Sequence, residues 1–536
     1  MMDTFMNALL MIVIRGMLRT PSERELAEIA ESLGIELSQD EIRDYHRLSG
    51  ITFDDYETIK KTPEPPKQPT EFNYGNRTSG RQPERNPHNV WITKAEVQTE
   101  TTGTLEGKRI GLKDNIALAG VEMTGGSQLL KGYIPDVEAT VVQRLLAAGG
   151  KIEGKLNMDE FGFSASGDYS AYGPVTNPWD EEYLVGGSSS GCGAALAAGE
   201  VDIAIGADQG GSIRIPAAWC GVVGLTPTTG LVPYTGIIPM DASIDHVGPM
   251  ARSVEEVAEA LTVIAGTDGF DPRQPKELPE YDYTSALEDD VTDLSIALLD
   301  EGFNHPESNS KINDVVREGI ATLEDAGASV STVSVPMHLK APPIALLIWS
   351  YGGLQVLQQG AQGSLLDGWY NTTLSQIFSK SWQSSADQLT DAAKATLLAM
   401  EYLNQKQQNT LYAKAQNLSY ALMDEYARVL ADADVIAMPT VPTKPLKHEP
   451  GLNRVDKIQR TFPPTKNTCP FVLTGNPSIT VPAGTVEGLP AGLMFVGDHF
   501  AEETLLRAAY TLERALGLPE TPETEFIESS DVDTKT

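Results

Sequence analysis

Two Gly-Gly-Ser turns decide how this chain folds: residues 186–191 read Gly-Gly-Ser-Ser-Ser-Gly, and residues 208–214 read Asp-Gln-Gly-Gly-Ser-Ile-Arg. Between them, the small apolar residues 192–198 favour a helix that ends at Gly199. Residues 201–206 are apolar and predict a buried strand. Each Gly-Gly-Ser is therefore expected in a turn beside a regular element, where glycine lets the backbone come close to a ligand.

A serine in such a turn displays its hydroxyl beside backbone N–H groups, as acyl transfer requires, but three other interpretations compete. The turns can be ordinary Gly/Ser-rich loops. A phosphate-binding loop is disfavoured because these turns contain neither G-x-x-x-x-G-K-[ST] nor G-x-G-x-x-G. Residues 187–191 fit G-x-S-x-G with Ser189 in the middle, but residues 180–185 are a poor candidate for the strand that an α/β-hydrolase needs there.

A third segment, residues 105–116, places Lys113 at the end of a short apolar strand. Together the three segments resemble the amidase signature family. The resemblance runs from about residue 105 to residue 267 and resumes at residues 474–484 and 488–493. Further matching segments are residues 157–161, 177–179 and 220–225.

The resemblance implies an α/β amidase signature fold, with a mixed, mostly parallel sheet covered by helices, and a Ser–cis-Ser–Lys triad. On the matching positions, Ser212 is the nucleophile, Ser188 the bridging serine and Lys113 the base. A cis peptide bond is implied between Gly187 and Ser188. The resemblance also implies an oxyanion hole made by the backbone N–H groups of Gln209, Gly210, Gly211 and Ser212.

The chemistry of these residue types agrees with the roles that the resemblance implies. A serine hydroxyl is a weak nucleophile and needs an adjacent base. Lysine is a base only when it is neutral, which requires burial that lowers its pKa from about 10.4. A hydroxyl both donates and accepts, so Ser188 is able to relay a proton between Ser212 and Lys113.

A Ser-His-Asp triad is the competing catalytic arrangement. Of the seven histidines, only His246 lies in the motif-rich region, and its neighbour Asp245 makes such a triad conceivable. Adjacent residues do not easily face each other as a triad requires. We therefore expect His246 to shape the pocket or to pack in the core.

The sequence departs from the family pattern at two positions. Ser190 stands where the family has a glycine, which would alter the turn if that position needed a positive φ. Thr226 replaces a lysine in the segment Gly-Leu-Thr-Pro-Thr. Neither position belongs to the proposed triad.

Composition limits the class of protein. Asp and Glu number 74 against 40 Lys and Arg, so the net charge is −34, and neither nucleic acid nor a membrane is expected as a partner. Ordinary acidity and adaptation to a high-salt cytoplasm both explain this excess, and its spread through loops and both ends favours the second. Three cysteines exclude a disulfide scaffold and favour a reducing, cytoplasmic location. Without cysteine and histidine at zinc spacing, neither a metal nor a cofactor is expected.

The segments before the signature motifs predict an extension, a helical domain and a linker. Residues 1–19 are interpreted as a start-site extension, because the apolar run at residues 8–14 is too short to span a bilayer and lacks the flanks of a signal peptide. Residues 62–90 are rich in Pro, Gly and Asn and predict a linker.

The helical domain is predicted at residues 20–61. Residues 20–23 read as a capping box with proline at the first helical position, and this helix should stop near Gly34. Residues 38–41 cap a second helix. Such a domain resembles that of amidases found alongside nitrile hydratases, which implies a homodimer.

The amidase domain is predicted at residues 91–519. Within it, a strand, a helix and two further strands are expected, in this order, at residues 294–299, 312–326, 329–335 and 435–438. Residues 341–430 predict mostly helices, which we expect to form a smaller subdomain over the pocket. Residues 520–536 are acidic and poor in apolar residues, and predict a disordered tail.

The resulting interpretation is an amidase that hydrolyses a small carboxylic amide to a carboxylate and ammonia through an acyl-enzyme. The leading alternative is the amidase-type component of a tRNA-dependent glutamine amidotransferase, which shares the core but needs an ammonia channel and a partner protein. The helical N-terminal segment argues against this alternative. A non-enzymatic binding protein on an inactive amidase scaffold is disfavoured because Lys113, Ser188 and Ser212 are all present.

Overall fold

A computed structural model of the chain describes residues 20–64, 74–360, 366–407 and 410–517. The chain divides into two compact units, residues 1–71 and 72–536. The predicted start-site extension and the predicted acidic tail lie outside the described residues.

The first unit contains helices α1 (Glu23–Ser32) and α2 (Gln39–Lys61). Ser22 caps α1, because its hydroxyl accepts the N–H of Glu25 while the Glu25 carboxylate accepts the N–H of Ser22. The capping box predicted at residues 20–23 is therefore wrong by two residues. The box begins at Ser22 because this hydroxyl reaches the third helical N–H.

Two other expectations for this unit are confirmed. Gly34 follows α1 with a φ of +71°, a conformation that suits glycine after the last helical turn. Ser38 and Glu41 form the second capping box, at the start of α2.

The second unit is built on one large sheet. The strands of the described residues are β1 (Tyr74–Arg77), β2 (Trp91–Thr99), β3 (Arg109–Lys113), β4 (Lys151–Leu156), β5 (Thr176–Asn177), β6 (Asp180–Leu184), β7 (Ile203–Asp208), β8 (Val223–Thr226), β9 (His246–Ala251), β10 (Ser295–Leu299), β11 (Ser329–Val333), β12 (Val435–Pro439), β13 (Ser478–Val486) and β14 (Leu489–Val496). Strands β5 and β6 pair separately, and the large sheet has the order β1-β2-β4-β3-β7-β9-β8-β13-β14-β12-β10-β11.

Helices cover this sheet. The helices of the second unit, within the described residues, are α3 (Thr140–Ala147), α4 (Ser190–Ala197), α5 (Arg214–Cys220), α6 (Val254–Ile264), α7 (Asp300–Phe303), α8 (Ser310–Asp325), α9 (Ala341–Gln359), α10 (Thr372–Ser385), α11 (Asp391–Gln407), α12 (Thr410–Leu430), α13 (Arg454–Gln459), α14 (Cys469–Thr474) and α15 (Glu502–Leu516). In the described ranges, no helix combines the length and the apolar character needed to cross a membrane.

The predicted α/β fold with a mixed sheet covered by helices is confirmed. The expected parallel pairing is concentrated in two blocks, in which β3 pairs with β4 and β7, and β10 pairs with β11 and β12. The other neighbours in this sheet are antiparallel, and among them β13 and β14 form a hairpin, which needs no crossover helix.

The segment predicted as a linker contributes to the sheet. Strand β1 (Tyr74–Arg77) pairs antiparallel with β2 and extends one edge of the sheet. The second compact unit accordingly begins before residue 91, the predicted start of the amidase domain. Residues 65–73 of the predicted linker lie outside the described residues.

The elements around the two Gly-Gly-Ser turns have the predicted types. Helix α4 follows the first turn, and Gly199 comes just after it with a φ of +67°. Every residue of β7 is buried between β3 and β9, which explains its run of small and branched apolar side chains. Strand β7 ends at Asp208, so the second turn emerges directly from the centre of the sheet.

The predicted helical region, residues 341–430, holds α9 to α12 with one short undescribed segment after α9 and another after α11. Ile348 of α9 joins the central core, and Leu354 packs with Phe378 of α10 in a second cluster that includes Phe161. This packing brings α9 against the second Gly-Gly-Ser turn.

Candidate active site

The three residues singled out by the signature motifs form one continuous chain of hydrogen bonds. Lys113 Nζ lies 2.9 Å from Ser188 Oγ, and Ser188 Oγ lies 3.0 Å from Ser212 Oγ. Lys113 and Ser188 are completely buried, whereas Ser212 reaches the wall of an open cleft. A proton is therefore able to pass between the buried amine and a hydroxyl that a ligand in the cleft would contact.

Three different elements supply these side chains. Lys113 is the last residue of β3, and Ser212 lies in the turn between β7 and α5. Ser188 comes from the turn before α4, and the peptide bond between Gly187 and Ser188 is cis, as the resemblance implies. Position 187 needs glycine, because a β-carbon there would lie only 2.0 Å from Asp159 Oδ2.

The surroundings of Lys113 favour its neutral form more than water does. Burial lowers its pKa to about 8. Its Nζ also lies 2.8 Å from the carbonyl oxygen of Ala207. Because a neutral amine donates one N–H to this carbonyl, its lone pair remains available to accept the proton of Ser188.

Asp208 organises the turn that carries Ser212. Its carboxylate forms a fully buried ion pair with Arg214, at 3.0 Å, and accepts the hydroxyl of Thr226 at 2.9 Å. Although burial opposes the charge, the Arg214 guanidinium holds the pKa of Asp208 well below its usual range. Thr226, which departs from the family pattern, therefore helps to hold Asp208, the residue from which the turn begins.

Two of the four backbone N–H groups predicted to form the oxyanion hole already have an acceptor within the turn. The backbone N–H groups of Gly210 and Gly211 both donate to the Asp208 carboxylate. The N–H groups of Gln209 and Ser212 make no hydrogen bond within the described part of the chain. The buried carboxylate is the physical reason, since it attracts the nearest free backbone donors.

Two residues that the sequence reasoning missed hold the other side of the same turn. Trp349 Nε1 of α9 donates to the carbonyl of Gln209, and Thr468 Oγ1 donates to the carbonyl of Gly210 at 2.7 Å. A β-carbon at position 210 would lie 2.3 Å from the Trp349 ring, and one at position 211 would lie 2.1 Å from Thr468 Oγ1. The two glycines are therefore required by the close approach of Trp349 and Thr468.

The cleft at Ser212 is lined by uncharged side chains. No lining residue among those described is an acid, a lysine or an arginine. Its apolar walls are formed by Phe163, Ile215, Met240, Leu346, Trp349 and Phe462. Its polar lining comes from amide and hydroxyl groups, those of Gln209, Ser164, Ser350, Thr396, Thr461 and Thr465. Such a cleft suits a neutral ligand, because a charged ligand would be desolvated without a partner.

The competing catalytic interpretations find no support in this geometry. Ser189 Oγ donates to the carbonyl of Ala207. Residues 180–184 do form a strand, β6, before the first turn, but among the described strands β6 pairs only with β5 and is not part of the large sheet from which an α/β-hydrolase nucleophile would emerge. His246 bonds to Thr229 Oγ1 and to the carbonyl of Ile244, and burial lowers its pKa to about 4. It makes no hydrogen bond to any of the three proposed triad residues.

Ser190 fits its position without strain. It is the first residue of α4, and its φ is not in the left-handed region. Its hydroxyl donates to the carbonyl of Asn157 at 3.3 Å. The family glycine is therefore not needed for turn geometry in this chain.

The chain is similar to several known proteins. Residues 90–506 match the protein family described as Amidase. An enantioselective amidase from Rhodococcus rhodochrous is 37% identical over 438 residues, which are 81% of this chain and 84% of that protein. A component of the glutamyl-tRNA(Gln) amidotransferase from Exiguobacterium sibiricum is 39% identical over 431 residues, 79% of this chain and 86% of that protein. The crystal structure of a peptide amidase from Stenotrophomonas maltophilia has a TM-score of 0.63 and 31% identity, covering 79% of this chain and 85% of its own.

Proposed function

This chain belongs to the amidase family, and from that premise we propose that it hydrolyses an uncharged carboxylic amide to a carboxylate and ammonia. The observation that carries the proposal is the hydrogen-bonded chain from buried Lys113 through Ser188 to Ser212, at the wall of a neutral cleft. Lys113 is the base, Ser188 the relay and Ser212 the nucleophile.

In the first half of the reaction, neutral Lys113 takes a proton from Ser188 while Ser188 takes the proton of Ser212. Ser212 Oγ then bonds to the amide carbon and forms a tetrahedral intermediate. As its C–N bond breaks, the nitrogen receives the proton back through Ser188 and leaves as ammonia. Water, deprotonated along the same chain, attacks the acyl ester and releases the carboxylate and Ser212.

The oxyanion of the intermediate requires backbone donors that do not already bond elsewhere. We assign this role to the N–H groups of Gln209 and Ser212. Gly210 and Gly211 contribute indirectly, because their N–H groups hold the turn on Asp208.

The second candidate function is that of the amidase-type component of a glutamine amidotransferase, favoured by the 39% identity to the protein from Exiguobacterium sibiricum. Free glutamine carries an ammonium and a carboxylate, and binding it in a cleft usually requires charged partners. The uncharged lining of the described cleft therefore supports the stand-alone amidase.

An assay of the purified chain alone tests this choice. We expect ammonia from a panel of neutral aliphatic and aromatic amides, and hydroxamates with ping-pong kinetics when hydroxylamine is added. Ammonia from glutamine only, in the presence of a partner protein and charged tRNA, would make the amidotransferase component the correct interpretation. No ammonia and no hydroxamate from any amide would favour a binding protein.

We also propose that the protein is a homodimer of the type found alongside nitrile hydratases, assembled through its first unit. The support is a set of apolar side chains of α1, α2 and their connection that are at least half exposed: Ile29, Leu33, Ile35 and Ile59. Sedimentation of the full chain should give twice the monomer mass, and deletion of residues 1–61 should give the monomer. We further propose a cytoplasmic location, which the three unpaired, buried cysteines support.

A further inference from the structure

The side chain of Gln209 is fixed by its amide nitrogen. Nε2 donates to the Tyr234 hydroxyl at 2.8 Å and to Asp245 Oδ1 at 3.0 Å. The Tyr234 hydroxyl itself donates to the carbonyl of Ile238, and Asp245 accepts the N–H of Met240, so both partners offer oxygen acceptors to Gln209. This network requires the nitrogen of the Gln209 amide, rather than its oxygen, to face Tyr234 and Asp245.

The amide oxygen of Gln209 consequently faces the other way. Gln209 lines the cleft beside Ser212. Its Oε1 accepts no hydrogen bond from any residue that the structure describes, and it is not sealed away from solvent. A fixed hydrogen-bond acceptor therefore opens on the cleft.

Gly162 brings this acceptor into relation with the proposed relay serine. A β-carbon on Gly162 would lie 3.5 Å from Ser188 Oγ, 3.7 Å from Gln209 Oε1 and 3.2 Å from Met240 Cε. The two oxygens and the methionine methyl thus face the same bare patch of backbone. The φ of Gly162 is +82°, so this position also favours glycine for conformational reasons.

We propose that Gln209 Oε1 and Ser188 Oγ form the site of the leaving nitrogen, and that Gln209 makes the enzyme selective for primary amides. This inference rests on the proposed amidase function. In the tetrahedral intermediate the nitrogen carries two N–H groups and a lone pair. Its lone pair accepts the proton from Ser188, and one N–H donates to Gln209 Oε1.

Two consequences distinguish this role from general support of the turn. An ester of the same acid has no N–H to donate, so the Gln209 contact contributes nothing to its hydrolysis. An N-methyl amide must place its methyl group in the small space bounded by Gly162 and Met240, where it meets the methionine side chain.

The test uses Gln209→Met, which keeps the length of the side chain and removes its acceptor. It compares hydrolysis of a primary amide with hydrolysis of the methyl ester of the same carboxylic acid, chosen to have no other charged group. We expect kcat/KM for the amide to fall about 30-fold, and that for the ester to change less than about threefold. Equal losses on both substrates would overturn the inference and leave the amidase function standing. If the wild type hydrolyses neither substrate, both proposals are overturned.

A second variant keeps the inference testable if Gln209→Met does not fold. Met240→Ala should raise the ratio of N-methyl amide to primary amide hydrolysis by about tenfold, because it enlarges the space beside the leaving nitrogen. An unchanged ratio in a folded Met240→Ala protein would contradict the assigned position of the leaving group.

Discussion

Two lysines are completely buried on neighbouring strands of this protein, but a carboxylate bonds to only one of the two amines. Lys113 ends β3 and faces Leu156, while Lys155 lies one position earlier on β4 and faces Leu112. Lys155 Nζ lies 3.2 Å from Asp114 Oδ1 and forms a buried ion pair. Lys113 bonds only to the Ser188 hydroxyl and the Ala207 carbonyl within the described residues.

The difference indicates that burial alone does not set the pKa of a lysine. Burial lowers the pKa of both amines, but at Lys155 the Asp114 carboxylate opposes the shift and stabilises the ammonium. At Lys113 the pKa falls to about 8, so a neutral amine is accessible near physiological pH. Asp114 follows Lys113 directly in the sequence, yet it pairs with Lys155, because successive side chains point in opposite directions.

The largest effect is expected at Ser212, the residue at the other end of the hydrogen-bonded series that starts at Lys113. Ser212→Ala should lower kcat/KM for an amide by about 10⁴-fold or more, because no other group takes over the attack. The unfolding free energy should stay within about 1 kcal/mol of wild type. Steady-state ammonia release and urea denaturation measure the two quantities.

Ser189→Ala is the matched control, since Ser189 is a buried serine of the other turn with a single hydroxyl hydrogen bond, to Ala207. We expect it to retain activity within about tenfold of wild type. If Ser189→Ala were inactive and Ser212→Ala active, the nucleophile would have to be reassigned.

Replacing each lysine by methionine tests the comparison directly. Lys113→Met should lose about 10³-fold in activity, because the base is gone, while its stability is unchanged or raised. Lys155→Met should lose about 3 kcal/mol of stability, because Asp114 becomes a buried and unpaired carboxylate, but its folded fraction should remain active. Activity per folded molecule and urea unfolding separate the two outcomes.

If both variants lost the same amount of activity or the same amount of stability, Lys113 could not be distinguished as a base from Lys155 as a structural cation. Equal loss of activity would indicate that the Asp114–Lys155 pair also acts in the reaction. Equal loss of stability would indicate that Lys113 is charged in the folded protein and is compensated by its neighbours.

How much of this site could be anticipated from the sequence depends on how far apart its parts lie in the chain. Lys113, Ser188 and Ser212 stand in short motifs, and the structure brings all three together. Trp349 and Thr468 come from segments without a recognisable motif, and only the fold carries them to the nucleophile turn. A local pattern holds no information about such long-range contacts.

A contact that no local pattern shows also sets the direction of N–H groups expected in the oxyanion hole. The sequence places Asp208 directly before Gln209, Gly210 and Gly211, but it does not tell which way the N–H groups of the two glycines point. That direction follows from the buried pair of Asp208 with Arg214. The linker prediction failed at β1 for a similar reason, because edge pairing with β2, rather than local propensity, makes residues 74–77 a strand.

The pH dependence of kcat/KM also distinguishes the two lysines, through an effect smaller than those of the substitutions. Below pH 8, kcat/KM of the wild type should rise about tenfold per pH unit and then level off, because the neutral fraction of Lys113 increases. Lys155→Met should follow the same profile. A wild-type profile that is flat between about pH 6 and pH 9 would contradict a neutral Lys113 as the base.

Stability should depend on pH through the same group. Burial in the folded protein lowers the pKa of Lys113 to about 8, whereas the pKa of a lysine in the unfolded chain is about 10.4. Between these values the unfolded chain binds more protons, so the stability of the wild type should rise with pH relative to Lys113→Met. A difference that falls over this range would mean that the folded protein favours the ammonium.

Salt is expected to have the smallest effect on stability, and the effect should be the same in the variants of both lysines. The net charge of −34 resides mainly in exposed carboxylates, whose mutual repulsion molar KCl screens to a range of about 3 Å. The buried Asp114–Lys155 pair is not reached by this screening. We therefore expect about 1–2 kcal/mol of added stability between about 0.1 and 2 M KCl, of equal size in wild type, Lys113→Met and Lys155→Met. Constant stability across this range would favour ordinary acidity over adaptation to high salt, and a larger gain in Lys155→Met would show that ions reach the buried carboxylate once its partner is removed.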